Sequence, residues 1–559
     1  MEKIWLKNYP KGIGHEIDLS QYSSLMDIYD ESIRKFANKK AFTNMNVSLT
    51  FNQLNEKVNH FASFLQNELK LKKGDRIAIQ MPNLLQFPVV AFAALRSGLI
   101  IVNTNPLYTA TEMRHQFKDS GAKAIVIMAN FAHHLEEIIK DTDIESVVVT
   151  ELADLFPTPK RILVNSVVKY IKKMVPAFNL PQAYTFRQAL ELGAMRPCQN
   201  IASTQEDIAF LQYTGGTTGV AKGAMLTHRN VLANMMQIRV WMSPKLVEGE
   251  EVAIAALPLY HIFALTLNCL AFLKMGAENV LITNPKDIPG FVKELKKIPF
   301  TAMAGVNTLF NALMNNPEFA TIDFKKVKVS VSGAMTLQKP VAEKWMALTK
   351  SVIVEGYGLT EASPVISCNP IDGTDKVGTV GMPVPSTDVK LIDENDQEVK
   401  PGEAGELCAK GPQVMKGYWH REDETAKVMM ADGWLRTGDI ATVDEDGFFK
   451  IVDRKKDLII VSGFNVYPNE IEEVIASHPG VLEVAAIGVP DTHSGEIVKV
   501  VIVKRDPNLT PEDVIAHARK SLTNYKIPRL VEFRTELPKT NVGKILRRAL
   551  RDTPAEVKN

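Results

Sequence analysis

The chain has 559 residues, 45% of them hydrophobic, and a formal net charge of +1. That length implies several domains or subdomains of an ordinary globular protein. The near-zero charge excludes an overall pull toward nucleic acid or an anionic surface, so any such attraction has to be local. Cys198, Cys269, Cys368 and Cys408 are far apart without metal-ligand spacing, which suits reduced thiols in a cytosolic protein. Residues 1–10 lack the apolar core of a signal peptide, and no apolar run approaches the ~20 residues of a spanning helix. A cytoplasmic location is expected.

In chain order, residues 23–36 read as a helix and residues 48–51 open the next unit. Residues 52–69 carry Leu54, Val58, Phe61, Phe64 and Leu65 at helical spacing. Then come a strand at 76–80, a helix at 87–96, a strand at 98–102, a break at Pro106, a strand at 124–128, a helix at 131–139 and a strand at 145–150. This alternation predicts a parallel sheet covered by helices on both faces. Residues 160–180 differ: Lys160, Arg161, Lys169, Lys172 and Lys173 interleave with Leu163, Val167, Ile171 and Met174 on one helical face. A basic amphipathic helix of this kind lies in a membrane interface or packs its stripe on its own core.

From Asp207 a second doubly wound unit is expected. Its strands are placed at 209–212, 252–257, 279–282, 301–305, 327–331 and 352–355. Its helices are placed at 229–237, 262–275, 288–297, 308–314 and 338–348. Ligands in such sheets bind beyond the carboxyl ends of the strands. The loops after residues 212, 331 and 355 should therefore meet at one sheet edge. Residues 375–450 are rich in Gly and Pro with short alternating runs at 389–392, 405–409 and 448–452, which predicts a small barrel or distorted sheet. Beyond the charged joint 453–457, a compact unit is expected. It has a helix from Pro468 to about Ser477, strands at 481–489, 497–504 and 530–533, a helix from Thr510 through Leu522, and a terminal helix at 544–551.

Five stretches carry chemistry. The first runs Tyr213, Thr214, Gly215, Gly216, Thr217, Thr218, Gly219, Val220, Ala221, Lys222, Gly223. Its glycines let the backbone turn tightly and approach a ligand, and successive N–H groups in such a loop form a concave anion site. The expected ligand is phosphate, although this is not the P-loop ending in Gly-Lys-Ser/Thr. The second is Glu355, Gly356, Tyr357, Gly358, Leu359, Thr360, Glu361, where a ring can lie against a purine and a carboxylate can hold magnesium. The third is Gly433 to Asp439, whose carboxylate suits ribose hydroxyls. The fourth joins 453–457 to Ser462, Gly463 and onward to Glu470. The fifth, 537–545, holds Lys544 where a helix would start. Lysine is unfavourable at that positive end, which suggests another job for it.

Together and in this order, these stretches resemble the core motifs of the acyl-adenylate-forming superfamily. Residues 105–109, 258–263, 305–310 and 453–473 are similar to the bacterial long-chain fatty acid–CoA ligases, and the similarity runs from Lys3 to Arg551. The resemblance implies an α/β fold: a large N-terminal domain (1–453) of two doubly wound subdomains plus a small β-barrel, a hinge (454–457), and a small mobile α+β C-terminal lid domain (458–559). It implies ATP, coenzyme A and a long-chain fatty acid as substrates, with Mg²⁺ held by Thr214 and Glu361. Tyr213 through Lys222 would hold the β- and γ-phosphates. Gly333, Ala334 and Glu355 to Tyr357, with Gly358 and Thr360, would frame the nucleotide, and Asp439 with Arg454 would take the ribose. Lys544 would bridge the fatty carboxylate and the α-phosphate, with His261 beside the carboxylate. Lys456 falls at the hinge, and Gly463 would line the pantetheine tunnel. The mouth of the acyl pocket is placed near Val306, Gly333 and 357–359. A homodimer and peripheral contact with the inner face of the membrane are further expectations. An acyl-AMP ligase or aryl-CoA ligase of the same superfamily is the nearest alternative. A nucleotide-sensing or lipid-carrier protein is another, against which the retention of Lys222, Glu361, Asp439 and Lys544 weighs.

Overall fold

Two large sheets carry most of the chain. The computed structural model describes residues 2–214, 221–540 and 543–551. One sheet has nine strands in the spatial order Met382–Pro383, Val365–Cys368, Ile353–Gly358, Val329–Ser332, Ala302–Gly305, Val252–Ala255, Glu278–Leu281, Lys40–Asn44, Val47–Thr50. Its centre is parallel and its two edges are antiparallel. The other has seven strands in the order Tyr184–Thr185, Ser146–Thr150, Ala124–Met128, Arg76–Gln80, Ile100–Asn103, Ile208–Thr214, Lys222–Thr227. Only its last pair is antiparallel.

The alternation expected from the sequence is present, but the units are not cut at Asp207. Ile208–Thr214 is a strand of the seven-stranded sheet, whereas Lys40–Thr50 supplies two strands to the nine-stranded one. The chain therefore crosses between the sheets more than once. Asn83 ties them together: its side-chain amide donates to Ala255 O and Leu257 O at 2.9 Å each and accepts from Leu259 N at 2.8 Å. Ala124–Met128 is buried along its whole length, as a central parallel strand covered on both faces must be.

Helix starts follow local chemistry. Ser24, Thr50, Thr109, Thr185, Thr227 and Thr510 each form a reciprocal capping box with the residue three positions on. Ala110–Ser120 is a helix that the sequence reading passed over, although Thr109 with Glu112 at its start and left-handed Gly121 at its end are the signals that mark one. Thr158–Ser166 is helical and continues as a wider π turn over Val167–Ile171, with no buried residue in either piece. Of that stripe Leu163, Ile171 and Met174 are exposed and Val167 is half-buried, so most of it does not pack into the core.

Residues 388–454 form a four-stranded antiparallel sheet ordered Asp388–Ile392, Gly405–Lys410, Leu435–Val443, Phe449–Arg454. Its outer strands do not pair with each other among the described residues, so the distorted-sheet alternative holds and the closed barrel does not. The C-terminal sheet is ordered Phe464–Val466, Ile459–Val461, Gly495–Lys504, Val481–Asp491, with Leu530–Arg534 parallel to Gly495–Lys504. Pro468–Ala476 and Pro511–Ala518 pack on it. The terminal helix is shorter than expected, Arg547–Arg551, so Lys544 precedes it on a turn closed by a Lys539–Ile545 bridge.

Candidate active site

The carboxyl ends of both large sheets open on one cavity of about 1100 Å³. The three loops expected at one sheet edge in fact come from two sheets. Thr214 and Lys222 belong to the seven-stranded sheet, while Gly333 and Gly356 belong to the nine-stranded one. Thr214 pairs with Lys222 and Tyr213 with Gly223, so the described ends of the first motif lie on two paired antiparallel strands, and the strand Lys222–Thr227 intervenes before the helix His228–Met242. Gly215, Gly216, Thr217, Thr218 and Gly219 lie outside the described residues.

Tyr213, Thr214, Lys222, His261, Gly333, Ala334, Glu355, Gly356, Tyr357, Gly358, Thr360, Glu361, Asp439, Arg454, Lys456 and Lys544 line the cavity, whereas Gly463 and the pocket-mouth candidate Val306, which is buried in the core, do not. Gly463 sits on an exposed turn between Ile459–Val461 and Phe464–Val466, with φ +82° and nothing within 4 Å of where a Cβ would stand. Gly358 is required sterically, because a Cβ there would lie 1.9 Å from Pro364 O.

The charged groups are held by partners. Asp439 accepts from Tyr357 OH at 2.6 Å and pairs with Arg454 at 3.2 Å. Glu361 accepts from Tyr418 OH at 2.6 Å. Lys222 pairs with Glu424 and stands 4.8 Å from the Tyr418 ring centre. Tyr213 donates to Asp119 at 2.6 Å, and Arg421 reaches the same carboxylate at 3.1 Å. Asn103 donates to Gln212, and Gln212 donates to Tyr260 O at 2.8 Å, which sets the loop carrying His261. His261 Nδ1 accepts from Phe263 N, and burial followed by the Lys544 charge lowers its pKa to about 4. It is therefore a neutral imidazole. Glu355 accepts from Leu337 N at 3.0 Å, and burial raises its pKa to about 8, so it shapes the floor mostly as a neutral acid.

Lys544 arrives from the C-terminal part of the chain. Its backbone N–H donates to Thr540 Oγ1, and Gly543 O accepts from Thr308 Oγ1 at 3.0 Å. Burial first, then the neighbouring Arg454 charge, lowers its pKa to about 8. Crowded cations in a desolvated pocket make a site suited to an anion. Asp453, at the charged joint, is buried and bound by Arg547 at 3.0 Å and by Asn469 N at 2.8 Å, so it is no solvated linker residue.

Part of the cavity lining is apolar. Ile238, Trp241 and Met242, from the helix His228–Met242, line it with Cys368, Ile371 and Val384. The Trp241 indole donates to Asn369 O at 3.0 Å, so its one polar atom is satisfied. Gly356 lies beside this apolar part, since a Cβ on it would stand 3.6 Å from Cys368 Sγ. None of these six, nor Tyr418, Asp119, Arg421 or Glu424, is marked by a short motif.

Residues 29–419 match the AMP-binding enzyme family and residues 470–544 the AMP-binding enzyme C-terminal domain. The chain is 56% identical over 552 residues to the long-chain-fatty-acid–CoA ligase of Escherichia coli O157:H7, covering 99% of this chain and 98% of that one. It belongs to the AMP-binding enzymes, in the long-chain-fatty-acid–CoA ligase branch. The Bacillus subtilis (strain 168) ligase of the same name is 39% identical over 99% of both chains. Among solved AMP-binding enzymes, the anthranilate CoA ligase AuaEII in complex with anthranoyl-AMP superposes with a TM-score of 0.85 at 25% identity, covering 95% of this chain and 97% of that one. ATP-bound MatB from Rhodopseudomonas palustris gives 0.80 at 26%, covering 95% and 98%. Among the described residues of this AMP-binding enzyme, no helix is long and apolar enough to cross a membrane, and no cluster of three or more His, Cys, Asp or Glu is set to hold a metal.

Proposed function

We propose that the protein ligates a long-chain fatty acid to coenzyme A through an acyl-adenylate, releasing pyrophosphate and then AMP. The observation that carries this reading is one cavity with Lys544, Arg454, Lys222, Glu361 and Asp439 in its polar part and the Trp241 wall in its apolar part. A carboxylate is a weak electrophile with a poor leaving group. Its oxygen attacks the α-phosphorus of ATP, the bond to the β-phosphate oxygen breaks, and pyrophosphate leaves. Negative charge builds on phosphate oxygens, so preplaced cations lower the barrier. Lys544 bridges the two approaching anions, and neutral His261 stands by the carboxylate without adding charge. Asp439 takes the ribose hydroxyls, in exchange for part of its contact with Tyr357 and Arg454. The thiol of CoA then attacks the acyl carbon, the proton leaves with solvent, and AMP departs.

The residues fit Mg²⁺. Glu361 has one oxygen on Tyr418, Thr214 offers a hydroxyl, and a hard cation bound by few protein oxygens plus substrate phosphates matches that donor set. When bound, the ion would offset phosphate charge. We assign residues 454–457 as the hinge between the N-terminal part and a lid beginning at 458. Gly463 serves the CoA half-reaction from the lid once that part has turned. The test is a chain-length panel scored by CoA-dependent AMP formation. Preference for long alkyl acids is expected. Preference for planar aromatic acids, or AMP formation indifferent to CoA, would overturn the reading.

Peripheral contact with an anionic bilayer is part of this reading. Leu163 and Ile171 are 64% and 71% exposed, beside exposed Ile162, Tyr170 and Met174. Between Asp154 and Glu191 the chain has no acidic residue, while Lys160, Arg161, Lys169, Lys172, Lys173 and Arg187 fall within it. Largely exposed apolar side chains, ringed by one sign of charge, fit an interfacial helix. Each basic residue near such a surface contributes about 1 kcal/mol, so reversing Lys169, Lys172 and Lys173 to Glu should abolish co-sedimentation with anionic vesicles. Undiminished binding would remove this element.

A further inference from the structure

One side chain outside every motif touches both an acidic and a basic group in the polar part of the cavity. Tyr418 is 6% exposed. Its hydroxyl donates to Glu361 at 2.6 Å, and its ring face lies 4.8 Å from the Lys222 ammonium.

The backbone around it is fixed as well. Residues 415–419 run beside the hairpin strand Lys222–Thr227: Met225 N donates to Gly417 O at 2.9 Å, Lys416 N to Met225 O at 3.0 Å, and Trp419 N to Gly223 O at 2.8 Å. Met415 N donates to Glu361 O at 2.8 Å, and Tyr418 N donates to Thr425 Oγ1 at 2.9 Å. At position 417, with φ +142°, a Cβ would stand 2.9 Å from the Thr425 methyl. The segment thus binds both the Lys222 hairpin of one large sheet and the Glu361 turn of the other. Glu424 on the following helix, Glu422–Val428, completes the contact by pairing with Lys222.

We propose that Tyr418 is a positioning residue for the nucleotide end of the site, its hydroxyl orienting the Glu361 carboxylate and its ring face seating the Lys222 ammonium. The inference rests on the reading of Glu361 as the magnesium-facing group and Lys222 as a phosphate-facing one. Its two jobs sit on different atoms and can be separated. Tyr418→Phe removes the hydroxyl and keeps the ring, whereas Tyr418→Leu removes both.

The test is equilibrium binding of ATP by calorimetry, with and without Mg²⁺, on the full chain. Tyr418→Phe should weaken Mg²⁺-dependent binding about tenfold while leaving metal-free ATP binding within about twofold, because a charge-assisted hydrogen bond to a carboxylate is lost and the cation–ring contact stays. Tyr418→Leu should weaken both. Glu361→Gln is the reference and should reproduce the magnesium-selective loss. Parent-like binding by Tyr418→Phe, with Glu361→Gln impaired, would overturn this inference and leave the ligase reading standing. Equal weakening with and without Mg²⁺ in Tyr418→Phe would also overturn it, as a merely structural role predicts. Parent-like binding by both Glu361→Gln and Lys222→Ala would sink the underlying assignment instead. Tyr418→Phe is nearly isosteric and carries the test even if the leucine variant does not fold.

Discussion

The two walls of the cavity are built differently. On the sheet side, the charged groups are tied down by other side chains: Asp439 by Tyr357 and Arg454, Glu361 by Tyr418, Lys222 by Glu424. On the C-terminal side, the loop that carries Lys544 meets the sheet side where Thr308 donates to the Gly543 carbonyl, and Arg547 just beyond it reaches Asp453 at 3.0 Å. One wall is preorganised, and under the proposed hinge at 454–457 the other is delivered.

Breaking the delivered wall should have the largest effect. Lys544→Ala is expected to lower fatty-acid-dependent pyrophosphate exchange about 100- to 1000-fold, the scale of one transition-state charge contact, while thioester formation from supplied acyl-AMP persists. Equal loss of both half-reactions would erase the distinction between the walls. Breaking the fixed wall comes next. Asp439→Ala should raise the KM for ATP about 10- to 100-fold through lost charge-assisted bonds, with the KM for the fatty acid little changed. A pH profile sharpens the contrast. A lysine with a depressed pKa is charged below that value and loses its charge as pH rises through it, so kcat/KM for adenylation should fall above about 8. In Lys544→Arg whatever activity remains should keep its rate through that range. Gly333→Ala would place a Cβ 2.9 Å from the Phe263 ring, and should raise the KM several-fold for both the fatty acid and ATP, since Gly333 is assigned to the acyl mouth and to the nucleotide frame. The smallest effect is expected from Gly463→Ala. Its positive φ costs about 1–2 kcal/mol of strain, to be read as slower thioester formation with unchanged pyrophosphate exchange.

Much of the site was legible because phosphate chemistry needs contiguous glycines and hydroxyls, and strand-end loops such as Gly356 to Gly358 leave short signatures. The apolar part left none. Ile238 and Trp241 sit on one helix and Cys368 and Ile371 more than a hundred residues later, and any apolar residue of suitable volume would look the same in sequence. Tyr418 was missed for a related reason, since a buried tyrosine in a turn-rich stretch usually marks packing. The hairpin around the first motif was overlooked because only six residues, Lys222–Thr227, separate it from a capped helix. The sheet exchange involving Lys40–Thr50 is a pairing between residues more than two hundred positions apart, which local patterning does not encode.

That exchange has a consequence for anyone wishing to dissect the enzyme. A cut before Asp207 would deprive the later fragment's nine-stranded sheet of one edge hairpin and strip its leading strand of every parallel neighbour, while the earlier fragment would lose two strands of its own. The halves are woven rather than beaded, so neither should fold as a separate unit, and co-expressed pieces should regain structure only by finding each other.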